Sequence, residues 1–256
     1  MKTSLEDLGR ASRARAEAAM RDRPLFDLEG LIETFPPARR FAARLSREAG
    51  PHPRIIAGIK RSTPEAGLLR QTYRPRQIAM GYARVGAAAL CVATEPDQFG
   101  GDLDHISEVR PAHLPILRND FLVTPYQIAQ SRVAGADAVL LIAGLLAGAA
   151  LGIMVKAARR YGVEALVEVS DEEELSRAID AQTVLFAVNN RDPGAEIRLS
   201  AKIPQEAVKV ARGGISSRAD VDRLSAAGYD ALLVGEWLMR ADDPADALWA
   251  LMQPAS

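Results

Sequence analysis

Apolar and polar positions along the chain follow one repeating pattern from residue 54 onward. Short apolar stretches rich in β-branched residues alternate with segments whose apolar positions recur at helical spacing. Several of these stretches are apolar almost throughout, which is typical of strands that are buried on both faces. Eight strands are therefore predicted, over residues 54–60, 88–94, 115–121, 138–144, 164–170, 184–190, 207–213 and 231–237.

The segments between the predicted strands carry helix start and stop signals. A Thr-Pro pair at 124–125 predicts the start of a helix, and Gly135 predicts its end. Asp171 precedes an acidic first turn, which suits a helix N-terminus. Ser217 begins a further helical segment, which Gly228 ends. Between residues 190 and 207 there is room for a helix of at most about two turns.

Strand and helix alternate eight times, and this order predicts parallel strands joined by helical crossovers. We therefore expect an α/β protein with a closed (β/α)8 barrel, the TIM barrel. A doubly wound open sheet is the alternative. The barrel is favoured because there are eight strands and because no Gly-rich dinucleotide loop follows the first of them.

Residues 1–48 precede the first predicted strand, and they have helical patterns over 5–20, 28–35 and 37–50. We expect one domain overall, in which 1–48 form an N-terminal helical extension and 49–256 form the barrel. The extension has two interpretations. The favoured one is a helical cap on the barrel, and the other is that one of its helices borders the mouth of the active site.

The amino-acid composition argues against some classes of function. The 256 residues suit a single barrel domain, and 32 basic against 33 acidic residues give a net charge of -1. This balance does not indicate a nucleic-acid or an acidic-membrane partner. Only five of the basic residues are lysines, so each lysine is notable. The longest apolar stretch, 138–154, is interrupted by glycines and is short for a membrane span.

Metal and cofactor sites are not expected. Cys91 is the only cysteine, and the three histidines are scattered along the chain. No apolar core of signal-peptide length follows the N-terminus, so we expect a cytoplasmic protein. We also expect a monomer that acts on a small molecule.

Chemistry in a TIM barrel lies at the carboxyl ends of the strands. Lys60 ends the first strand and could hold an anion or act as an acid, or it could simply face solvent. Glu168 lies among apolar neighbours, where a carboxylate is costly unless it is paired or used, although it could also point outward. Asn189 and Arg191 suit carbonyl and carboxylate recognition, or they form a polar turn. Asn119 also stands at a strand end.

Glycines after the last two strands suggest a phosphate site. Gly213 and Gly214 follow the seventh strand, and Gly235 with Glu236 follows the eighth. Glycines there let backbone N–H groups surround a phosphate, a common arrangement in TIM barrels. Arg212 adds a positive charge if its side chain points into the mouth.

An aromatic wall is also possible. Phe99 and Phe121 both lie near strand ends, and for Phe121 packing in the core is an equally good interpretation.

From about residue 30 to the end, the chain resembles the indole-3-glycerol-phosphate synthase family of tryptophan biosynthesis. The motifs that carry the resemblance are IIAGIKRSTPEAG, FGGDLDHISEVR, LPILRNDFLVTPYQIAQSRVAGADAVLLI, ALVEVSDEEEL, VNNRD and LLVGEWLMRADDP. Agreement over this length is far more specific than any single motif.

The resemblance implies a lyase that closes an indole ring without a cofactor. The substrate would be anthranilate joined to a phosphorylated, opened pentulose. The anthranilate ring carbon attacks the sugar carbonyl, and carbon dioxide and water leave. This chemistry needs a general acid at the carbonyl, a base and an acid for dehydration, a carboxylate grip and a phosphate site.

The resemblance also assigns roles to residues of this chain. Three positions match catalytic residues of the family, namely Lys60, Glu168 and Asn189. Arg191 matches the residue that binds the substrate carboxylate. The wall around the aromatic ring would comprise Phe99, Phe121 and Leu140. The phosphate would meet Thr63, in place of the usual serine, and the backbone at Gly214 and Gly235.

Several departures from the family pattern fall where the chemistry happens. Gly58 stands in place of a glutamate, and Asn119 in place of the lysine that is the family's main general acid. Arg212 and Gly213 replace a Glu-Ser pair. An amide cannot deliver a proton as an ammonium group does, so ordinary indole formation should be impaired.

Three hypotheses follow from this comparison. The favoured one is a paralogue with changed chemistry or a changed phosphorylated and carboxylated substrate. The second is a genuine but inefficient indole-3-glycerol-phosphate synthase. The third is a non-catalytic homologue that still binds a phosphosugar.

Overall fold

The protein is an eight-stranded parallel barrel, seen in a computed structural model that describes residues 4–46, 53–189 and 194–253. β1 pairs with β8 from Arg54 opposite Ala231 to Ala57 opposite Val234, and this pairing closes the sheet. The predicted (β/α)8 TIM barrel is therefore confirmed, and the open sheet is excluded. The barrel strands are β1 (Arg54–Ile59), β2 (Ala89–Ala93), β3 (Ile116–Asn119), β4 (Ala138–Ile142), β5 (Glu164–Val169), β6 (Leu185–Asn189), β7 (Val208–Arg212) and β8 (Ala231–Val234).

Thirteen α-helices are seen in the part of the chain that the structure describes. They are α1 (Leu5–Asp22), α2 (Leu25–Thr34), α3 (Phe41–Leu45), α4 (Pro75–Arg84), α5 (Pro96–Phe99), α6 (Asp104–Val109), α7 (Pro125–Ala134), α8 (Ala150–Arg160), α9 (Glu172–Asp180), α10 (Ala195–Ser200), α11 (Arg218–Ala226), α12 (Glu236–Arg240) and α13 (Pro244–Met252). The sequence did not predict a short antiparallel hairpin, in which Ser62–Thr63 pairs with Gly67–Leu68 after β1.

The helix boundaries follow the predicted signals. Thr124 forms a capping box with Gln127 at the start of α7, and Gly135 ends that helix with a φ of 100°. Side-chain oxygens of Asp171 and Ser217 accept hydrogen bonds from the first turns of α9 and α11. The sixth crossover helix, α10, has 6 residues and is as short as expected.

The N-terminal extension is helical, but the predicted helix over 37–50 is wrong at 37–40 and at 46, which are not helical; residues 47–50 lie outside the described residues. The chain before α3 is held by the barrel: the Arg39 backbone N–H donates to Asp137 Oδ1 at 2.8 Å and its guanidinium donates to the Leu114 carbonyl at 2.7 Å. The helix begins only at Phe41. The expected boundary at 48/49 falls outside the described residues, so the domain division stays a prediction.

The short helix α3 fills the amino end of the barrel. Phe41 and Leu45 are fully buried in the inner cluster, which also contains Ile56 and Leu166. The Ala42 backbone N–H donates to the Glu164 carboxylate at 2.6 Å. The helix α3 thus covers the amino end of the barrel and shields the inner cluster from water.

We predict that Phe41→Ala destabilises the protein by about 3–5 kcal/mol, because it removes a fully buried ring and leaves a cavity. Phe26→Ala is the matched control: Phe26 is 82% exposed on α2, so its loss should change stability by no more than about 0.5 kcal/mol. Urea unfolding of both variants measures the difference. Equal stabilities would show that α3 does not seal the barrel.

Candidate active site

A cavity of about 1080 Å³ opens at the carboxyl ends of the strands. Most of the residues singled out in the sequence line it, although they come from seven different strand ends and loops. Those on its wall are Lys60, Thr63, Phe99, Asn119, Phe121, Glu168, Asn189, Arg212, Gly213, Gly214, Gly235 and Glu236. The barrel therefore brings together one mixed aromatic, charged and glycine-rich site.

Two of the expected site residues are not on that wall. Leu140 is fully buried in the inner barrel cluster, and Ile142 lines the cavity two residues further along β4. Side chains two apart on a strand share a face, so both point inward and only the later one reaches the cavity. Arg191 lies outside the described residues.

Glu168 lies at the centre of a polar group on β5, β6 and β7. The Asn189 side-chain amide donates to Glu168 Oε1 at 2.7 Å, and the Arg212 guanidinium forms an ion pair with Oε2. The carboxylate is almost entirely buried and would be costly there without partners. Its inward orientation excludes the alternative of an outward, solvated side chain.

Lys60 faces the same cavity without an ionic partner. Among the residues that the structure describes, its ammonium group makes no hydrogen bond and no ion pair, and Nζ lies 5.9 Å from the centroid of the Phe99 ring. Burial and, to a smaller extent, the positive charge of Arg212 lower the pKa of Lys60 below its ordinary value of 10.5. Such a group is well suited to give up a proton.

Asn119 ends β3, two strands from β1 around the ring. Its backbone carbonyl accepts a hydrogen bond from Thr94 at 3.1 Å, while its side-chain amide has no hydrogen-bond partner within the described ranges. The amide is therefore free to contact a ligand. It cannot act as a general acid near neutral pH.

A buried ionic network next to Asn119 was not predicted as a unit. Asp120 Oδ2 accepts from Arg118 at 2.8 Å and from the Thr94 hydroxyl at 2.6 Å, and Oδ1 accepts from the Phe121 N–H at 2.8 Å. Burial alone would raise the pKa of Asp120, but Arg118 and these hydrogen bonds outweigh it and lower the pKa below 3.8. The network fixes the segment that carries Asn119 and Phe121.

Two phenylalanine rings form the aromatic wall. The Phe99 and Phe121 rings lie 6.2 Å apart between centroids, with their planes inclined at 44°. Leu5 and Leu8 of α1 complete the apolar lining. The N-terminal extension therefore borders the mouth, which is the interpretation that the sequence left as the less favoured one.

Glycines that follow β7 and β8 line one side of the cavity. Gly213 and Gly214 have φ values of 89° and 66°, which strongly favour glycine. The Thr63 hydroxyl already accepts the Ala66 N–H at 3.1 Å and still has a proton to donate. The Glu236 carboxylate is paired with Arg240 at 2.8 Å, which offsets its charge.

Gly58 is packed tightly against the end of β8. A Cβ atom at Gly58 would lie 2.6 Å from Gly235 Cα and 3.1 Å from the Val234 carbonyl oxygen. The glutamate that the family pattern has at this position does not fit this backbone. Any larger residue would have to separate β1 from β8.

Within 4–46, 53–189 and 194–253, no group of three or more His, Cys, Asp or Glu side chains is arranged to hold a metal ion. No helix in those ranges is both long enough and apolar enough to span a membrane.

Fold and site together define a (β/α)8-barrel protein with an aromatic and charged cavity that glycines line on one side. A family model described as indole-3-glycerol phosphate synthase matches residues 5–251. A protein of that name from Albidiferax ferrireducens is 39% identical, with 98% of both chains covered, and one from Rhodopirellula baltica is 41% identical, with 93% of both covered. Indole-3-glycerol phosphate synthase 2 of Streptomyces coelicolor is 40% identical over 95% of this chain and 93% of its own.

The chain belongs to the indole-3-glycerol phosphate synthase family. The resemblance seen in the sequence is thereby confirmed, and with it the family's lyase class. Each of these relatives bears the synthase name, so the comparisons give no support to the favoured expectation of a paralogue with a changed substrate.

We predict that Gly58→Ala destabilises the protein by about 1–3 kcal/mol, because the added Cβ is forced against backbone that cannot move aside locally. Gly30→Ala is the matched control. Gly30 lies inside α2, and a methyl group added there would have no atom within 4 Å, so alanine should stabilise by about 0.5–1 kcal/mol. The midpoints of thermal unfolding of the two variants should shift in opposite directions. A Gly58→Ala variant as stable as the parent would contradict the tight packing of β1 against the end of β8.

Proposed function

We propose that this chain is a slow indole-3-glycerol phosphate synthase, a carboxy-lyase that closes an indole ring on a phosphorylated, opened pentulose joined to anthranilate. One observation carries the proposal: Lys60, Glu168 and Asn189 line one cavity together with the Phe99–Phe121 pair. That set offers a proton donor, a carboxylate and an amide around a space walled by aromatic rings.

Each part of the cavity has a proposed task. The anthranilate ring would lie against Phe99 and Phe121, and the phosphate would meet Thr63 and the backbone at Gly214 and Gly235. Arg191 would grip the substrate carboxylate, as the family resemblance implies. No cofactor or metal is part of the proposal.

Proton transfer is proposed to depend on Lys60. Its ammonium group would protonate the sugar carbonyl as the ring carbon attacks, a role that Asn119 cannot take. Glu168 would act in dehydration, with Asn189 fixing its orientation at 2.7 Å. The Arg212 guanidinium contacts Glu168 Oε2, so this contact would have to break before that oxygen takes up a proton.

The slow rate follows from the missing acid. A well-placed general acid typically contributes about 10²–10⁴-fold to a rate. We further propose that the protein works in the cytoplasm as a monomer; its single cysteine is a buried thiol, which suits a reducing compartment.

We predict that the parent protein converts the family substrate to indole-3-glycerol phosphate, and that Asn119→Lys raises kcat/KM at least about tenfold by restoring an ammonium group on β3. Indole absorbance follows product formation. Asn119→Gln, which keeps the amide, is the control and should give no gain.

The outcomes separate the hypotheses. A parent that turns over as fast as Asn119→Lys would contradict the missing-acid argument. A parent that binds the substrate without turnover, and gains nothing from Asn119→Lys, would overturn the proposed synthase.

We predict an alkaline limb in the pH profile of kcat/KM below the pH at which an ordinary lysine titrates. Lys60 must be protonated to act as the acid, and burial lowers its pKa, so activity is full at lower pH and is lost as pH rises through that lowered pKa. Lys60→Arg should lose most activity, and the limb should vanish from what remains. Lys156→Arg, on an exposed part of α8, should keep the profile. A limb that survives in Lys60→Arg would assign the proton to another group.

A further inference from the structure

The helix α1 contacts the loops that carry both aromatic walls. Arg15 Nη2 donates to Glu95 Oε1 at 3.1 Å, and Arg15 Nη1 donates to Asp97 Oδ2 at 2.7 Å. The other oxygen of Glu95 accepts the backbone N–H groups of Gln98 at 2.6 Å and Phe99 at 3.3 Å. A continuous chain of charged hydrogen bonds thus runs from α1 to the backbone of Phe99.

Glu95 depends on this arrangement because it is only 1% exposed. A buried carboxylate is costly unless it is paired, and Arg15 is the cation that pairs with it within the described residues. The helix that Glu95 caps, α5, has only 4 residues and cannot hold its own shape. The position of Phe99 therefore depends on the Arg15–Glu95 pair on one side, and on the Arg61 N–H, which donates to the Phe99 carbonyl at 3.2 Å, on the other.

Ser12 makes a second connection, to the other aromatic wall. It is 1% exposed, and its hydroxyl donates to the Phe121 carbonyl at 2.5 Å. The same hydroxyl accepts from Gln127 Nε2 at 2.8 Å, while Gln127 Oε1 accepts the Val123 N–H at 2.8 Å. The loop between β3 and α7 is thereby fixed to α1.

The helix is built to sit close to these loops. Gly9 approaches the turn after β4 so closely that a Cβ atom would lie 2.7 Å from Leu145 Cδ1. Leu5 and Leu8 then reach the cavity itself. Ser4 and Asp7 form a capping box that secures the first turn of the helix.

We propose that Arg15 and Ser12 are positioning residues, which set the separation of Phe99 and Phe121 and so govern binding of the aromatic part of the substrate. The proposal rests on the proposed function for the identity of the ligand, but its structural part does not. Loss of the Arg15 contact loosens the segment that carries Phe99, and loss of the Ser12 contact loosens the segment that carries Phe121. Neither change affects the proposed phosphate site at Gly214 and Gly235.

The test compares Arg15→Gln and Ser12→Ala with Arg10→Gln. Arg10 lies on the exposed side of the same helix and pairs only with Asp7 among the described residues, so it is a matched control for charge and helix stability. Titration calorimetry uses two probes: the family substrate with its carbonyl reduced, which cannot close the ring, and inorganic phosphate. Hydrogen exchange of the 97–99 and 121–124 amides gives a readout without any ligand.

We expect Arg15→Gln and Ser12→Ala to weaken binding of the reduced substrate about tenfold, with phosphate binding unchanged within twofold. Exchange should rise at 97–99 in Arg15→Gln and at 121–124 in Ser12→Ala, and neither effect should appear in Arg10→Gln. Arg15→Lys, which keeps a cation beside Glu95, should recover part of the affinity.

Unchanged exchange in both variants would overturn the proposal, and so would an equal loss of both probes, which indicates general unfolding. If the parent binds phosphate but not the reduced substrate, the proposed function fails. Local exchange that still rises would then support positioning by α1 of a pocket for a different ring.

Discussion

The pairing of β1 with β8 is the interaction on which the rest of the structure depends. It turns an open sheet into a ring, so that side chains far apart in sequence meet around one cavity. Directly after the last paired residues, Gly58 lies so close to Gly235 that a Cβ atom at Gly58 would be 2.6 Å from Gly235 Cα. Because Gly58 has no space for a side chain, β1 cannot place a carboxylate at that position, next to Lys60. Closure thus determines both the geometry and the charge of the site.

The cavity keeps its polar groups but changes their arrangement relative to the family pattern. β3 ends in the neutral Asn119, where the family resemblance implies a lysine, and a guanidinium on β7 binds Glu168. A buried carboxylate held between an amide and a guanidinium is stabilised as the anion. The cost of burying Glu168 is therefore met within the protein, whereas an unpaired Glu168 would depend on a ligand for its partner. The cavity therefore has a guanidinium on β7, and Lys60 supplies the ammonium group on the described part of its wall.

The periodic part of the fold could be predicted from the sequence, because strands buried on both faces and helices with capped ends leave local signals. All eight strands lie within the predicted stretches, and the ends of α7 follow from Thr124 and Gly135. What the sequence could not show is non-local. Ser12 and Phe121 are 109 residues apart, and nothing near Ser12 marks it as a partner of the site. The depth of Leu140 and the tight packing of Gly58 likewise depend on how the ring closes.

The two ends of the N-terminal extension meet parts of the chain that are made much later. Ser12 contacts a carbonyl 109 residues downstream, and Ala42 contacts a carboxylate 122 residues downstream. At a synthesis rate of about 5–20 residues per second, these partners emerge on the order of 5–25 s after the helices do. The apolar faces of α1 and α3 must therefore wait uncovered on the ribosome. Both partners nevertheless precede β6, so each end of the extension can find its contact before the closing strand β8 has been made.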